Sequence, residues 1–158
     1  FGGTSVGSID KIKKICSSYN IKLIEDSAES LGSFYKGKHT GTYGESSIVS
    51  FNGNKIITSG GGGMILTNSA TIEKKVRHLT TTAKESHSWF FSHNEVGYNY
   101  RLPNINAALG LAQMEKLDSY VKSKRRLAKN YQKWFLNDEH IFVTEPKNSI
   151  IKQYKDIK

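Results

Sequence analysis

The chain has 158 residues and a hydrophobic fraction of 37%, enough for one domain or for part of a larger one. No apolar run is long enough to span a bilayer, and the single cysteine, Cys16, excludes an internal disulfide and points to a reducing, cytoplasmic setting. Lys and Arg outnumber Asp and Glu by 23 to 14, a charge of +9 that attracts phosphates, nucleotides or nucleic acid, although a solvated lysine-rich surface explains it as well. The five histidines show no zinc-like spacing, so no metal site is expected. The opening Phe1-Gly2-Gly3 has neither an initiator Met nor a signal-peptide pattern, and a piece of a longer chain is expected.

Residues 8–19 read as a helix. Ser8 can cap it, Ile9, Ile12, Ile15 and Tyr19 recur at helical spacing, and Asn20 suits a left-handed stop. Cys16 lies inside this helix and is expected to be a buried apolar group. Residues 21–25 form a short strand, followed directly by Asp26-Ser27-Ala28-Glu29. Helix, tight turn and strand in this rhythm predict an α/β fold, in which functional groups gather at the carboxyl ends of strands. Residues 33–38, with Gly41 and Gly44 beyond them, give short strand pieces and turns. Residues 48–51 and 64–67 predict two further strands, joined by an Asn52-Gly53-Asn54 turn, Lys55 and the glycines 60–63. The glycine run lacks both the P-loop ending and the dinucleotide-loop spacing, so it reads as a turn with close backbone approach.

Residues 71–80 predict a helix with Ile72, Val76 and Leu79 on one face. Residues 83–95 have no period but hold Lys84, His87, Trp89, Phe90, Phe91 and His93, a long aromatic loop of functional or interfacial type. Pro103 suits the first turn of a helix carrying Ile105, Leu109, Ala112 and Leu117. Its small residues Ala107, Ala108 and Gly110 imply close packing. Residues 121–136 extend as a basic amphipathic helix, with Val121, Leu127, Tyr131 and Trp134 expected inward and Lys122, Lys124, Arg125, Arg126 and Lys129 toward solvent. No nucleic-acid fold motif accompanies them, which favours a solvated face. Ile141-Phe142-Val143 suggests a strand, and from Pro146 onward the chain is polar, with no structure assigned.

Asp26 closes one strand, Ser50 closes another, and Lys55 follows Ser50 by five. Pyridoxal phosphate chemistry uses these three residue types. A lysine amine forms a Schiff base with the aldehyde, a carboxylate keeps the pyridine nitrogen protonated, and a hydroxyl helps to hold the phosphate. Such residues at strand ends are also common, so spacing alone leaves Lys55 either a surface lysine on a turn or a Schiff-base lysine.

The neighbouring residues carry more. Ile24-Glu25-Asp26-Ser27-Ala28-Glu29-Ser30-Leu31-Gly32, Tyr35-Lys36-Gly37-Lys38, Ser50-Phe51-Asn52-Gly53-Asn54-Lys55, Gly62-Gly63-Met64, Gly97-Tyr98-Asn99-Tyr100-Arg101 and Ala107-Ala108-Leu109-Gly110-Leu111-Ala112-Gln113 follow one another. In that order they resemble the DegT/DnrJ/EryC1/StrS family, nucleotide-sugar aminotransferases of fold type I. The resemblance implies that residues 1–146 are the central part of a large α/β domain with a mainly parallel sheet flanked by helices, and that residues 147–158 are a polar tail where the likeness is lost. It implies pyridoxal 5'-phosphate as cofactor and Lys55 as the lysine joined to it. It further implies Asp26 as partner of the ring nitrogen, Glu29 near the ring, Ser50 on the phosphate, and Asn99 reaching the phosphate of a neighbouring subunit in a homodimer. L-Glutamate would be the amino donor and a nucleotide-linked keto sugar the acceptor, for bacterial surface glycans, with no nucleic-acid or membrane partner. Two departures stand out: Gly61 replaces an acidic residue of many members, and the chain is under half the family's length. An inactive, truncated or regulatory member is therefore an alternative, and a basic interaction module for anionic partners is another.

Overall fold

The computed structural model describes residues 8–135. The suggested strand at residues 141–143 and the tail at 147–158 lie outside them.

Helix α1 (Ile9–Ser18) is preceded by Ser8, whose hydroxyl makes no capping bond, and Asn20 adopts the left-handed conformation (φ 54°) that turns the chain away. Only Ile9 of α1 is buried; Ile15 and Tyr19 are exposed and Cys16 is half-buried, not buried as expected. The helix touches the rest of the described chain mainly at its start, where Asp10 accepts from the Tyr35 hydroxyl (2.9 Å) and pairs with Lys36 (2.6 Å). Strand β1 (Ile24–Asp26) begins three residues later than expected. Strands β2 (Phe34–Tyr35) and β3 (Lys38–His39) form a small hairpin turned through Lys36 and Gly37, both at positive φ.

Strands β4 (Ser46–Ser50) and β5 (Gly63–Thr67) complete a three-stranded sheet in the order β1-β4-β5. β1 pairs with β4 in parallel, and β4 with β5 antiparallel. The sheet is thus mixed where a mainly parallel one was expected. The reason is the connection: residues 51–62 contain no crossover helix, so the chain folds straight back beside β4. In the register, Asp26 faces Ile48 and Ile48 faces Ile65, so Ile24, Asp26, Ile48, Ser50 and Ile65 share one face. Glu25, Ser47, Val49, Met64 and Leu66 share the other.

That second face carries the core. Val49, Phe51 and Ile57 are buried, with Leu31, Leu66, Leu102, Leu117 and Tyr120 packed against them. Helix α2 (Ala70–Thr80) starts at Ser69, whose hydroxyl accepts from the Ile72 amide (3.3 Å), and lies against β5. Helix α3 (Asn104–Met114) begins after Pro103, and its buried Gly110 sits on the Ser59 side chain, whereas Ala107 and Ala108 are exposed.

Helix α4 (Leu117–Trp134) is separated from α3 by a break at Glu115 and Lys116. Its lysines face solvent, but the inward packing expected for Leu127, Tyr131 and Trp134 is not found. Leu127 and Tyr131 are exposed, and Trp134 is 77% exposed. The physical reason is that, among the described residues, α4 meets the core through Leu117 and Tyr120 near its start, with the half-buried Val121 beside Gly32. Farther along, Tyr131 packs on Trp134 and Phe135 of its own helix end. None of the described helices is long and apolar enough to cross a membrane.

Candidate active site

Because β1 and β4 run in parallel, their carboxyl ends lie at one edge of the sheet, where Asp26 ends one strand and Ser50 the other. Asp26 is exposed, and one of its carboxylate oxygens accepts from the Ala28 amide (3.1 Å). That local turn carries the chain to Glu29. The Ser50 hydroxyl accepts from the Asn52 amide (3.3 Å) and starts the reversal that bears Lys55.

The Lys55 turn is fixed from several directions. The Lys55 amide donates to the Asn52 carbonyl (3.1 Å), and the Ser59 amide and Thr58 hydroxyl both donate to the Phe51 carbonyl at 3.0 Å. Helix α3 holds the far side, with Gln113 accepting from the Thr58 amide (2.8 Å) and Asn106 donating to the Ser59 carbonyl (2.6 Å). Ile57, 1% exposed, pins the loop into the core. The Lys55 side chain is therefore only 13% exposed, and its ammonium group pairs with the Glu29 carboxylate. Two residues 26 positions apart are brought into direct contact at the strand ends. A sheltered amine, a carboxylate against it, a second carboxylate at the end of β1 and a hydroxyl at the end of β4 can together bind and orient a polar, carbonyl-bearing molecule.

The structure does not bring Asn99 into this group. Its backbone bridges Thr81 beyond the end of α2, it is exposed, and no hydrogen bond joins it to Lys55, Asp26, Glu29 or Ser50. Asn99 lies just beyond the foot of the aromatic loop. That foot is tied to α2 by a Lys75–Glu95 pair (2.5 Å) and a His78–Asn94 hydrogen bond (2.7 Å). At the tip Trp89 is 87% exposed, His87 accepts from the Trp89 and Phe90 amides (3.2 and 3.0 Å), and the Lys84 ammonium lies 3.9 Å over the Phe91 ring. Gly61 is not required by space, since a Cβ there would meet nothing within 4 Å. Among the described residues no group of three or more His, Cys, Asp or Glu side chains is placed to share a metal ion.

Sequence reasoning missed Glu25. Its carboxylate accepts three backbone N–H bonds, from Gly41 (2.7 Å), Tyr43 (2.6 Å) and Gly44 (2.6 Å). Only the position of Glu25 beside Asp26 could have drawn attention to it. Its partners lie 16 to 19 residues away and give no local pattern. Nearby, His39 accepts from the Gly32 amide (2.9 Å), and burial holds its imidazole below the ordinary pKa of 6.5.

Comparison with known proteins decides the family. Residues 1–154 match the DegT/DnrJ/EryC1/StrS aminotransferase family. The chain belongs to that family. It is 47% identical over 124 residues to EpsN of Bacillus subtilis (strain 168), a match covering 78% of this chain and 32% of the relative. It is 44% identical over 125 residues to the GDP-perosamine synthase of Escherichia coli O157:H7, covering 79% and 34%. Among solved structures it superposes on Helicobacter pylori PseC, an aminotransferase involved in the biosynthesis of pseudoaminic acid. That match has a TM-score of 0.81 and 28% identity, covering 87% of this chain and 37% of that one. The chain thus spans about a third of the length of these DegT/DnrJ/EryC1/StrS relatives.

Proposed function

We propose that this chain supplies the lysine-bearing part of a cytoplasmic, pyridoxal phosphate-dependent aminotransferase that moves an amino group from L-glutamate to a nucleotide-linked keto sugar for bacterial surface glycans. The observation that carries the reading is the pairing of the sheltered Lys55 amine with Glu29 at the strand edge that also ends in Asp26 and Ser50. The donor set fits the cofactor in kind. Lys55 offers an amine shielded from bulk water, Asp26 offers a carboxylate with only a backbone amide on one oxygen, and Ser50 offers a hydroxyl at a strand end.

Bound there, pyridoxal phosphate would supply an aldehyde for the amine and a ring that withdraws electrons from the carbon losing its proton. Lys55 would hold the cofactor and later carry a proton on Nζ to and from the substrate carbon. Asp26 would keep a proton on the ring nitrogen. Glu29 orients the Lys55 amine, and Ser50 would donate to the phosphate. Asn99 and the exposed aromatic loop stand away from this group, as expected of parts that serve the site of a second copy in a homodimer. The GDP-perosamine synthases among the relatives support a sugar acceptor, and the lone Cys16 fits the reducing cytoplasm.

Borohydride trapping tests the reading. Incubated with pyridoxal phosphate and reduced, the chain should carry a pyridoxyl group on Lys55 by peptide mass, and Lys55→Ala should carry none. Prior addition of L-glutamate should lower the yield. A wild-type chain that retains no pyridoxyl group, or an equal yield from Lys55→Ala, sinks the proposal.

A further inference from the structure

Strand β1 is three residues long, and in the described sheet it stands at an edge, paired on one side only. Its register against β4 decides where Asp26 stands. A slip of one residue would carry Asp26 to the opposite face, away from Ile48 and Ser50.

We propose that Glu25 is a positioning residue that sets the β1 register by gripping the 41–44 turn, and thereby sets Asp26 against Ser50 and the Lys55 turn; the role of Asp26 rests on the function proposed above. Both carboxylate oxygens are engaged, one with Gly41 and the other with Tyr43 and Gly44. Hydrogen bonds to a charged acceptor are the stronger kind. The residue paired with Glu25 across the ladder is Ser47, fully buried, and its hydroxyl donates to the Gly41 carbonyl (2.5 Å). Paired positions of β1 and β4 therefore hold the same turn, one by its amides and the other by its carbonyl.

The turn has no slack on either side. A Cβ on Gly44 would stand 2.5 Å from the Leu23 carbonyl oxygen, and a Cβ on Gly41 would stand 2.6 Å from the Ser27 hydroxyl. Leu23 and Ser27 flank Glu25 in the chain, so the turn is fitted to β1 on both sides of the grip. A slipped strand would leave three half-buried amides without their acceptor, which opposes the slip. The next ladder bond is Ser27 N–H to the Ile48 carbonyl (3.0 Å), immediately beside Asp26.

Amide exchange on the 158-residue chain reads this directly. In Glu25→Gln the Gly41, Tyr43 and Gly44 amides should exchange about tenfold faster or more, and the Ser27 amide should lose protection with them. Faster exchange at 41, 43 and 44 with Ser27 at its wild-type rate overturns the proposal. Should Glu25→Gln fail to fold, Ser47→Ala releases only the β4 side of the grip. A faster Ser27 amide there supports the assignment, and an unchanged one overturns it.

A second measurement separates positioning from general support. Pyridoxal phosphate affinity is compared for wild type, Glu25→Gln, Asp26→Asn and the double variant. Glu25→Gln should weaken binding about tenfold, and the double variant should bind no more weakly than Asp26→Asn alone. Additive losses refute action through Asp26. A wild-type chain that binds no cofactor refutes the proposed function instead, and the exchange result then decides the register claim by itself.

Discussion

Replacing Gly97 with alanine strikes the point where the two legs of the aromatic loop cross. An added Cβ would stand 2.3 Å from the Thr82 carbonyl carbon, 2.4 Å from the Ala83 nitrogen and 2.8 Å from the Ala83 Cβ. These are backbone or first side-chain atoms, so no rotamer change relieves the clash. Ala83 is fully buried and cannot move outward freely. The legs must separate, at the expense of the Thr82 N–H bond to the Tyr98 carbonyl (3.0 Å) and the Tyr98 N–H bond to the Leu79 carbonyl (2.7 Å). Overpacking of a closed site costs about 1–3 kcal/mol and each lost hydrogen bond about 1 kcal/mol, so a loss of about 3 kcal/mol is expected. For a chain of this size that lowers the thermal midpoint by roughly 6–12 °C. Circular dichroism gives the midpoint, and amide exchange at Tyr98 and Tyr100, which flank Asn99, shows whether the foot has opened. A midpoint within about 1 °C of wild type, with Tyr98 still protected, refutes the reasoning.

Two further outcomes are expected. His39 titrates below its ordinary 6.5 because burial disfavours the imidazolium, so the unfolded chain takes up that proton first. Its contribution to stability is complete above 6.5 and shrinks as pH falls below it, until the folded group is itself protonated. Melting curves between about pH 7.5 and 5.5 should therefore fall more steeply for wild type than for His39→Gln, and parallel curves refute this. Trp89 is so exposed that Trp89→Ser should change stability by no more than about 0.5 kcal/mol. If the loop reaches a neighbouring site, the same variant should weaken binding of a UDP- or GDP-linked sugar about tenfold by calorimetry. Full binding by the variant removes the loop from the site.

What could be read in the sequence was local. Asn20 stops α1 and Pro103 opens α3, because each acts within one turn of the backbone. The Asn-Gly-Asn turn and the apolar runs on either side placed β4, β5 and Lys55 between them. The contact between Lys55 and Glu29 could not be read from spacing, since the two stand 26 positions apart with a small hairpin and β4 between them. Family resemblance supplied both residues, but not their pairing. Glu25 escaped for the same reason. The pattern of α4 is amphipathic, yet a helical stripe shows only that one side is apolar, not that an element exists to cover it, and Trp134 is exposed. The antiparallel β5 depended on how the chain returns after residue 51, which periodicity does not encode.

The connections also order the folding of the chain in time. Gly63 lies thirteen residues after its partner Ser50, whereas every β1 residue lies twenty-two before its partner in β4. Closing the longer loop costs about 0.5 kcal/mol more entropy and returns a ladder of only three residues. Val49, Phe51 and Ile57, the buried cluster, all belong to β4 and the Lys55 loop that follows it. On loop length, the β4–β5 pairing is expected to close before β1 docks on it. In a refolding experiment, capture of pyridoxal phosphate should lag behind burial of the Phe51 side chain, because both the strand that ends in Asp26 and helix α3, which holds the Lys55 turn, must still dock on the β4–β5 hairpin.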